Sequence, residues 1–140
     1  MQTTFTRLHK GLALFISLGV FLQMLLAGIW EAGVVNSPDA HAIFGVTLLA
    51  AALLALIAAA VARLPRPLLL RTALLFGLIL LQPILIEFRS SNIPLLSAFH
   101  TLNAAFVGMT AGMVAALASG DAHAPTPTTA HVATTPAAAD

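Results

Sequence analysis

Four apolar stretches, each long enough to cross a bilayer, constrain this chain more than any other feature. The first runs from Gly11 to Trp30, interrupted only by Ser17 and Gln23, and about 20 apolar residues are enough to span the hydrocarbon core. Only 8% of the residues are charged, whereas a soluble domain has about 25%. We therefore expect an integral membrane protein in a lipid bilayer. Its formal net charge of +1 indicates no nucleic-acid partner.

Prolines and capping residues divide the chain into predicted helices. Ser37, Pro38 and Asp39 are typical of a helix start. Pro65 and Pro67 end the second apolar stretch because proline breaks the backbone hydrogen-bond ladder. We expect the first helix to be retained, since its apolar run is long for the core of a cleaved signal peptide. The predicted helices lie at 11–30, 38–62, 68–88 and 93–118.

The predicted fold is an all-α, integral membrane, up-down-up-down four-helix bundle formed by residues 1–118. Short loops make consecutive helices antiparallel neighbours. Residues 119–140, rich in Ala, Thr and Pro, are expected to be a disordered tail. The Lys and Arg residues are unequally divided between the two ends of the bundle. One end has Arg89 alone, whereas the other has Arg7, Lys10, Arg63, Arg66 and Arg71. This asymmetry predicts a multi-pass protein of the inner (plasma) membrane with both termini in the cytoplasm.

Several polar residues within or beside the apolar stretches have simple interpretations. His9 lies between Arg7 and Lys10, and this trio is interpreted as an interfacial cation cluster that meets anionic lipid. Gln23 and Gln82 are expected to hydrogen-bond to neighbouring helices, with a quinone or proton site as the alternative for one of them. No acid lies at the centre of a span, which disfavours a proton-coupled drug exporter because such exporters need a deep carboxylate.

A histidine lies near the start of the second and of the fourth predicted helix. His41 follows Pro38 by three residues and His100 follows Pro94 by six. At about 1.5 Å per residue their depths agree to within roughly one turn. The two helices are diagonal in the predicted bundle, on the order of 12–14 Å apart. This distance leaves room for a metal between the imidazoles but not for direct contact between them.

Small residues follow both histidines at helical spacing. Gly45 lies one turn beyond His41, and Ala104, Gly108 and Gly112 continue the face of His100. A flat macrocycle needs such small residues where it meets a helix. The pattern predicts a haem with His41 and His100 as axial ligands, contacts from Gly45, Ala104 and Gly108, and Arg89 paired with the propionates.

Each of these features has an alternative interpretation. The histidines could be interfacial side chains bonded to loop groups, or ligands of a bare zinc or copper ion joined by Glu31, Asp39 or Glu87. Arg89 could instead form an ion pair with Glu87 or meet lipid headgroups. Gly108 and Gly112 form a GxxxG motif, which also serves helix–helix packing and could join homo- or hetero-oligomers.

Helix order and two short segments carry a resemblance to a known family. Asp-Ala-His-Ala-Ile-Phe-Gly at 39–45 and Phe-His-Thr-Leu-Asn-Ala at 99–104 resemble one four-helix half of the haem A synthase family, and more loosely other small membrane b-type cytochromes. The resemblance implies haem ligands near the outer ends of the second and fourth helices. Since the chain has one bundle and no cysteine, the implied property is haem binding rather than haem A synthesis.

The sequence therefore predicts a membrane cytochrome that holds one haem b near the outer leaflet. It would be an electron carrier or a subunit rather than a stand-alone enzyme, with a quinone or another membrane redox protein as partner. The main alternative is a cofactor-free structural or assembly subunit of a larger membrane complex. A minor transporter or a haem-handling protein is a third interpretation.

Overall fold

The computed structural model describes residues 2–88 and 94–120, and all regular secondary structure in these ranges is α-helical. The predicted all-α fold class is confirmed. The second, third and fourth helices begin and end within two residues of their predicted bounds, while residues 121–140 of the predicted tail lie outside the described residues. The helices are α1 (Gln2–Glu31), α2 (Asp39–Val61), α3 (Arg66–Glu87) and α4 (Pro94–Ser119).

Helix α1 differs most from its predicted range, because it begins at Gln2 rather than at residue 11. Residues 2–10 are polar but contain neither glycine nor proline, so nothing in this segment stops a helix. The Thr6 hydroxyl donates to the Gln2 carbonyl at 3.0 Å, which adds a local bond to the first turn. The result is a 30-residue helix that extends past the apolar stretch.

Two helices end in the same capping motif. Beyond α1, the backbone N–H of Gly33 donates to Trp30 and that of Val34 donates to Ile29. Beyond α2, the N–H of Arg63 donates to Ala60 and that of Leu64 to Ala59. This bonding pattern requires a left-handed residue just after the helix. Gly33 (φ +71°) supplies it after α1, whereas after α2 the left-handed residue is Arg63 (φ +53°).

The four helices form a closed square in which each helix packs against two neighbours. Helix α1 packs against α2 and α4, and α3 packs against the same two helices. The α1/α3 and α2/α4 pairs are therefore the diagonals. Each helix has an apolar segment long enough to cross a membrane, and between 17% and 33% of each segment is buried within the bundle. The remaining apolar surface faces outward, as in a multi-pass membrane protein.

Small side chains on α2 allow the bundle to pack tightly. Five alanines of this helix are buried, and three of them, those at 51, 52 and 55, belong to one core cluster with larger residues of the other three helices such as Ile16, Leu75 and Val114. Alternating large and small residues at facing positions keeps an interior densely packed. The buried alanines are Ala51, Ala52, Ala55, Ala58 and Ala59.

The interpretation of His9 as part of an exposed cation cluster is wrong. His9 is only 1% exposed, whereas Arg7 and Lys10 are exposed. The Thr72 hydroxyl donates to the Leu68 carbonyl at 2.9 Å, so its oxygen accepts from His9 Nε2 at 3.0 Å. This bond crosses the α1/α3 diagonal. The longer α1 places residue 9 inside the bundle, where an imidazole needs a partner.

Candidate histidine site

The two histidines near the helix starts lie side by side across the α2/α4 diagonal. The ring centres of His41 and His100 are 6.3 Å apart, and the ring planes make an angle of 64°. Both side chains are half-buried. The expectation that the diagonal prevents direct contact is wrong, because 6.3 Å lies within the range of edge-to-face ring packing. The expectation that the two rings approach each other is confirmed.

Each imidazole is held by a backbone carbonyl of the preceding helix. Nδ1 of His41 lies 3.2 Å from the carbonyl oxygen of Gln23, and Nδ1 of His100 lies 3.2 Å from that of Gln82. A carbonyl oxygen can only accept, so Nδ1 must carry the proton in both rings. In a neutral imidazole the proton on Nδ1 leaves a lone pair on Nε2. Both rings therefore have an Nε2 atom that can bind a metal.

Gln23 contacts His41 in a second way. Its side-chain Nε2 donates to the His41 backbone carbonyl at 3.0 Å, while the backbone carbonyl of Gln23 accepts from the His41 ring. Gly45 makes room for this amide, because a Cβ at residue 45 would lie 2.9 Å from Gln23 Nε2. The glycine predicted to face a macrocycle thus faces a glutamine of α1. The expectation that Gln23 bonds to a neighbouring helix is confirmed.

A cavity of about 640 Å³ opens beside the histidines and is lined by residues of all four helices. This volume lies within the usual range for small-molecule sites, about 300–1,000 Å³. Its lining is mostly apolar, with side chains such as Leu49 and Ile79, and its polar lining residues include Gln23, His41 and His100. An apolar cavity with a few convergent polar groups is typical of a cofactor site.

The residues predicted to contact a haem lie in different places. Gly45 lines the cavity, whereas Ala104 and Gly108 do not. Gly108 faces α1, where its Cβ would meet a methyl group of Val20 at 3.6 Å, and Gly112 has no neighbour within 4 Å of that position. Gly108 therefore contributes to helix packing. Arg89, predicted to pair with propionates, lies outside the described residues.

The two histidines lack the additional ligands that a bare metal ion needs. A structural zinc site uses four protein ligands. Within residues 2–88 and 94–120, no group of three or more histidine or acidic side chains is placed to hold a metal. Glu31 lines the cavity but does not complete such a group. The arrangement is suited to a ligand that brings its own equatorial donors and needs only two from the protein.

Two buried atoms in the residues that hold the histidines have no hydrogen-bond partner in the described part of the chain. They are the side-chain oxygens Oε1 of Gln23 and Gln82. A buried unsatisfied acceptor costs about 1–3 kcal/mol, so two of them at equivalent places are unusual. The amide of Gln23 cannot simply be reversed, because its Nε2 already donates to the His41 carbonyl.

Sequence reasoning found the two histidines but missed the role of the glutamines. The signal was present, since each glutamine precedes its histidine by 18 residues. That spacing carries a chain up one helix, around a loop and back to the same depth on the next. Interpreting Gln23 and Gln82 one at a time hides the repetition.

Comparison with known proteins gives a family but no activity. No curated protein and no solved structure shows a significant match to the chain. A family model described as "Family of unknown function (DUF6220)" matches residues 23–92, half of the chain. The match includes Gln23, His41 and Gln82, while His100 lies beyond its end. The chain belongs to the DUF6220 family.

Proposed function

We propose that this protein binds one haem b between His41 and His100 and transfers electrons near the outer surface of the membrane. The observation that carries the proposal is the pair of imidazoles whose Nδ1 atoms donate to backbone carbonyls. Their Nε2 atoms are thereby kept as metal ligands. A second-shell bond of this kind is the usual partner of a metal-binding histidine.

The spacing of the rings fits one metal between them. A metal–nitrogen bond is about 2 Å long and a ring nitrogen lies about 1.1 Å from its own ring centre, so two imidazoles on opposite sides of one metal have centres about 6 Å apart. The observed separation is 6.3 Å. Ring planes at 64° to each other are compatible with this arrangement, because each ring can rotate about its own bond to the metal.

The surroundings favour electron transfer over substrate chemistry. His41 and His100 would both hold the haem, and their identity together with the polarity of the cavity would set its redox potential. A bound haem supplies one-electron redox chemistry. The chain itself supplies two imidazoles and an apolar cavity. The electron donor would be a quinol or a membrane redox protein that approaches from the lipid.

The distribution of cations supports insertion into a bacterial-type inner membrane with both termini in the cytoplasm. The end of the bundle opposite the histidines carries five of the six Lys and Arg residues. Positive loops remain in the cytoplasm, which puts the histidines near the outer leaflet. A reporter fused after Asp140 should be active as a cytoplasmic marker, and activity of a periplasmic marker there would contradict the orientation.

Absorption spectroscopy tests the proposal directly. The full chain should be expressed with haem supplied and purified in detergent, and reduced-minus-oxidised spectra should show Soret and alpha bands. His41→Ala and His100→Ala should each abolish the six-coordinate spectrum. His9→Ala is the matched control. It also removes a histidine that lies within the bundle, but at the opposite end, and it should retain the bands.

A colourless protein despite haem supply would overturn the proposal. The alternative is a cofactor-free structural or assembly subunit, in which the two rings at 6.3 Å would be an ordinary edge-to-face packing contact between helices. In that case His41→Ala and His100→Ala would reduce stability without changing any spectrum. Retention of the bands in both variants would equally reject these ligands.

A further inference from the structure

The same arrangement occurs twice in this chain. Gln23 and His41 belong to the hairpin α1–α2, and Gln82 and His100 belong to the hairpin α3–α4. In each hairpin the glutamine carbonyl lies 3.2 Å from Nδ1 of the histidine 18 residues later. The two hairpins point in the same direction and pack against each other through both of their helices. An approximate two-fold axis therefore runs along the bundle, between the two imidazoles.

Burial follows the same repeat. When the two glutamines are aligned, seven buried core residues of the first hairpin fall on buried residues of the second, while the buried Ala58 and Ala59 fall on residues that are partly buried. This agreement extends over both helices and does not depend on identical residues, since alanine aligns with threonine or valine at several positions. The aligned buried pairs are Ala13 and Thr72, Ile16 and Leu75, Val20 and Ile79, Leu48 and Val107, Ala51 and Thr110, Ala52 and Ala111, and Ala55 and Val114.

The two glutamine side chains are energetically unfavourable at these positions. Each has a buried Oε1 without a partner in the described part of the chain, whereas leucine or methionine would fill a similar volume without an unsatisfied acceptor. Departures from good packing and hydrogen bonding tend to mark functional sites. The same departure occurs in both hairpins, in the residue whose backbone carbonyl accepts from the histidine ring.

We propose that the chain is a tandem repeat of one helical hairpin, in which the backbone carbonyls of Gln23 and Gln82 hold His41 and His100 with both Nε2 atoms free, and in which the Gln23 side chain is a positioning residue for His41. The side-chain amide of Gln23 does so by donating to the His41 carbonyl, in addition to the bond that its backbone carbonyl accepts from the ring. The inference deepens the proposed function, because it explains how two ligands are presented on one axis. Only the identity of the bound group depends on that function.

The first experiment needs no haem. Protein labelled with ¹⁵N-histidine and purified in detergent without haem should show His41 and His100 in the Nδ1-protonated tautomer. Gln23→Met keeps the side-chain size and the backbone carbonyl but removes the amide that ties the His41 carbonyl to α1, so the ring signals of His41 should shift toward a mixture of tautomers. Gln82→Met keeps the backbone carbonyl that accepts from His100 and removes a buried Oε1 without a partner among the described residues, so the ring signals of His100 should change little.

Thr72→Val provides the matched control. It removes another buried bond between helices, that of His9 with Thr72, at the opposite end of the bundle. A general loss of stability would therefore appear in all three variants, whereas the ring signals of His41 and His100 should remain unchanged in Thr72→Val. Ring signals that move equally in the control would show that the Gln23 side chain acts only through stability, and the proposal would fail.

The haem-loaded protein gives a second test. Loss of a group that orients a metal-binding histidine typically weakens metal binding about 10–100-fold, so we expect weaker haem retention in Gln23→Met than in Gln82→Met, with a shifted midpoint potential in the haem that remains. Wild-type-like tautomers, retention and potential in Gln23→Met would overturn the proposal, as would equal effects of the two variants. If wild type binds no haem but the tautomer results hold, the proposed function fails while the positioning role remains.

Discussion

At residue 45 a single missing methyl group sets the geometry of the site. A Cβ added to Gly45 would lie 2.9 Å from Gln23 Nε2, closer than carbon and nitrogen normally approach. Gly45→Ala must therefore displace the amide that donates to the His41 carbonyl. Loss of that hydrogen bond costs about 0.5–1.5 kcal/mol and offsets the higher helix propensity of alanine, so we expect Gly45→Ala to be less stable than Gly28→Ala by about that amount, measured as the free energy of unfolding in mixed micelles, together with altered ring signals of His41.

Gly28 offers the control for this substitution. It lies in the same helix as Gln23, and no atom lies within 4 Å of its hypothetical Cβ. Gly28→Ala should therefore be neutral or should stabilise α1 by up to about 1 kcal/mol, because alanine has the higher helix propensity. Equal destabilisation by the two variants would show that contact with the Gln23 amide is not what constrains residue 45.

Residue type and helical spacing predicted the histidine pair, but they did not predict what each small residue faces. Steps of four identify one side of a helix, and Gly108 lies on that side with His100. The neighbour that this side meets depends on how the helices pack, and there Gly108 meets Val20. The role of Gly45 was hidden for the same reason, since its partner Gln23 lies on another helix.

Among the helices, the end of α2 contains a strained residue. Arg63 adopts φ +53° in the capping motif after α2, a left-handed conformation that costs most side chains about 1–2 kcal/mol. Glycine adopts it without that cost but loses more entropy on folding. We therefore expect Arg63→Gly to stabilise the protein by up to about 1 kcal/mol, measured by unfolding in mixed micelles.

Arg63→Ala separates backbone strain from charge. It removes the same cation as Arg63→Gly but keeps the side-chain clash of the left-handed conformation. The glycine variant should therefore be more stable than the alanine variant. If alanine is as stable as glycine, the change in charge rather than the backbone conformation would account for any gain.

The bond between α1 and α3 leads to a further prediction. Thr72→Val leaves the N–H of His9 without an acceptor in the interior, so we expect a loss of about 1–3 kcal/mol in unfolding free energy. Thr72→Ser retains the hydroxyl and should lose less. A valine variant as stable as wild type would mean that His9 finds another acceptor or that the bond contributes nothing.

Helix bounds were predictable where the chain contains a breaker. Pro38 and Pro65 lie beside the observed starts of α2 and α3, and the predicted ranges agree with them to within two residues. The start of α1 was not predictable from the hydrophobic pattern, because residues 2–10 carry a polar helix without any cap or breaker. That extension is also what brings His9 into the interior, where its partner Thr72 lies on a helix that no local pattern connects to it.

For the molecule as a whole, the two hairpins divide the histidine site between them. His41 lies in α1–α2 and His100 in α3–α4, so a group bonded to both rings joins two halves that otherwise meet through packing and the bond between His9 and Thr72. A ligand that binds only the folded state stabilises it by about 2.7 kcal/mol at 100 times its dissociation constant. Adding haem to the haem-free protein should therefore raise its unfolding temperature in detergent, and the increase should grow with haem concentration.

His41→Ala and His100→Ala should lose this response, and His9→Ala should keep it from a lower starting temperature. Because the ligand acts across the interface between the hairpins, either substitution should abolish nearly all of the increase rather than half of it. An increase that survives in both single variants would place haem elsewhere on the protein or in the detergent micelle.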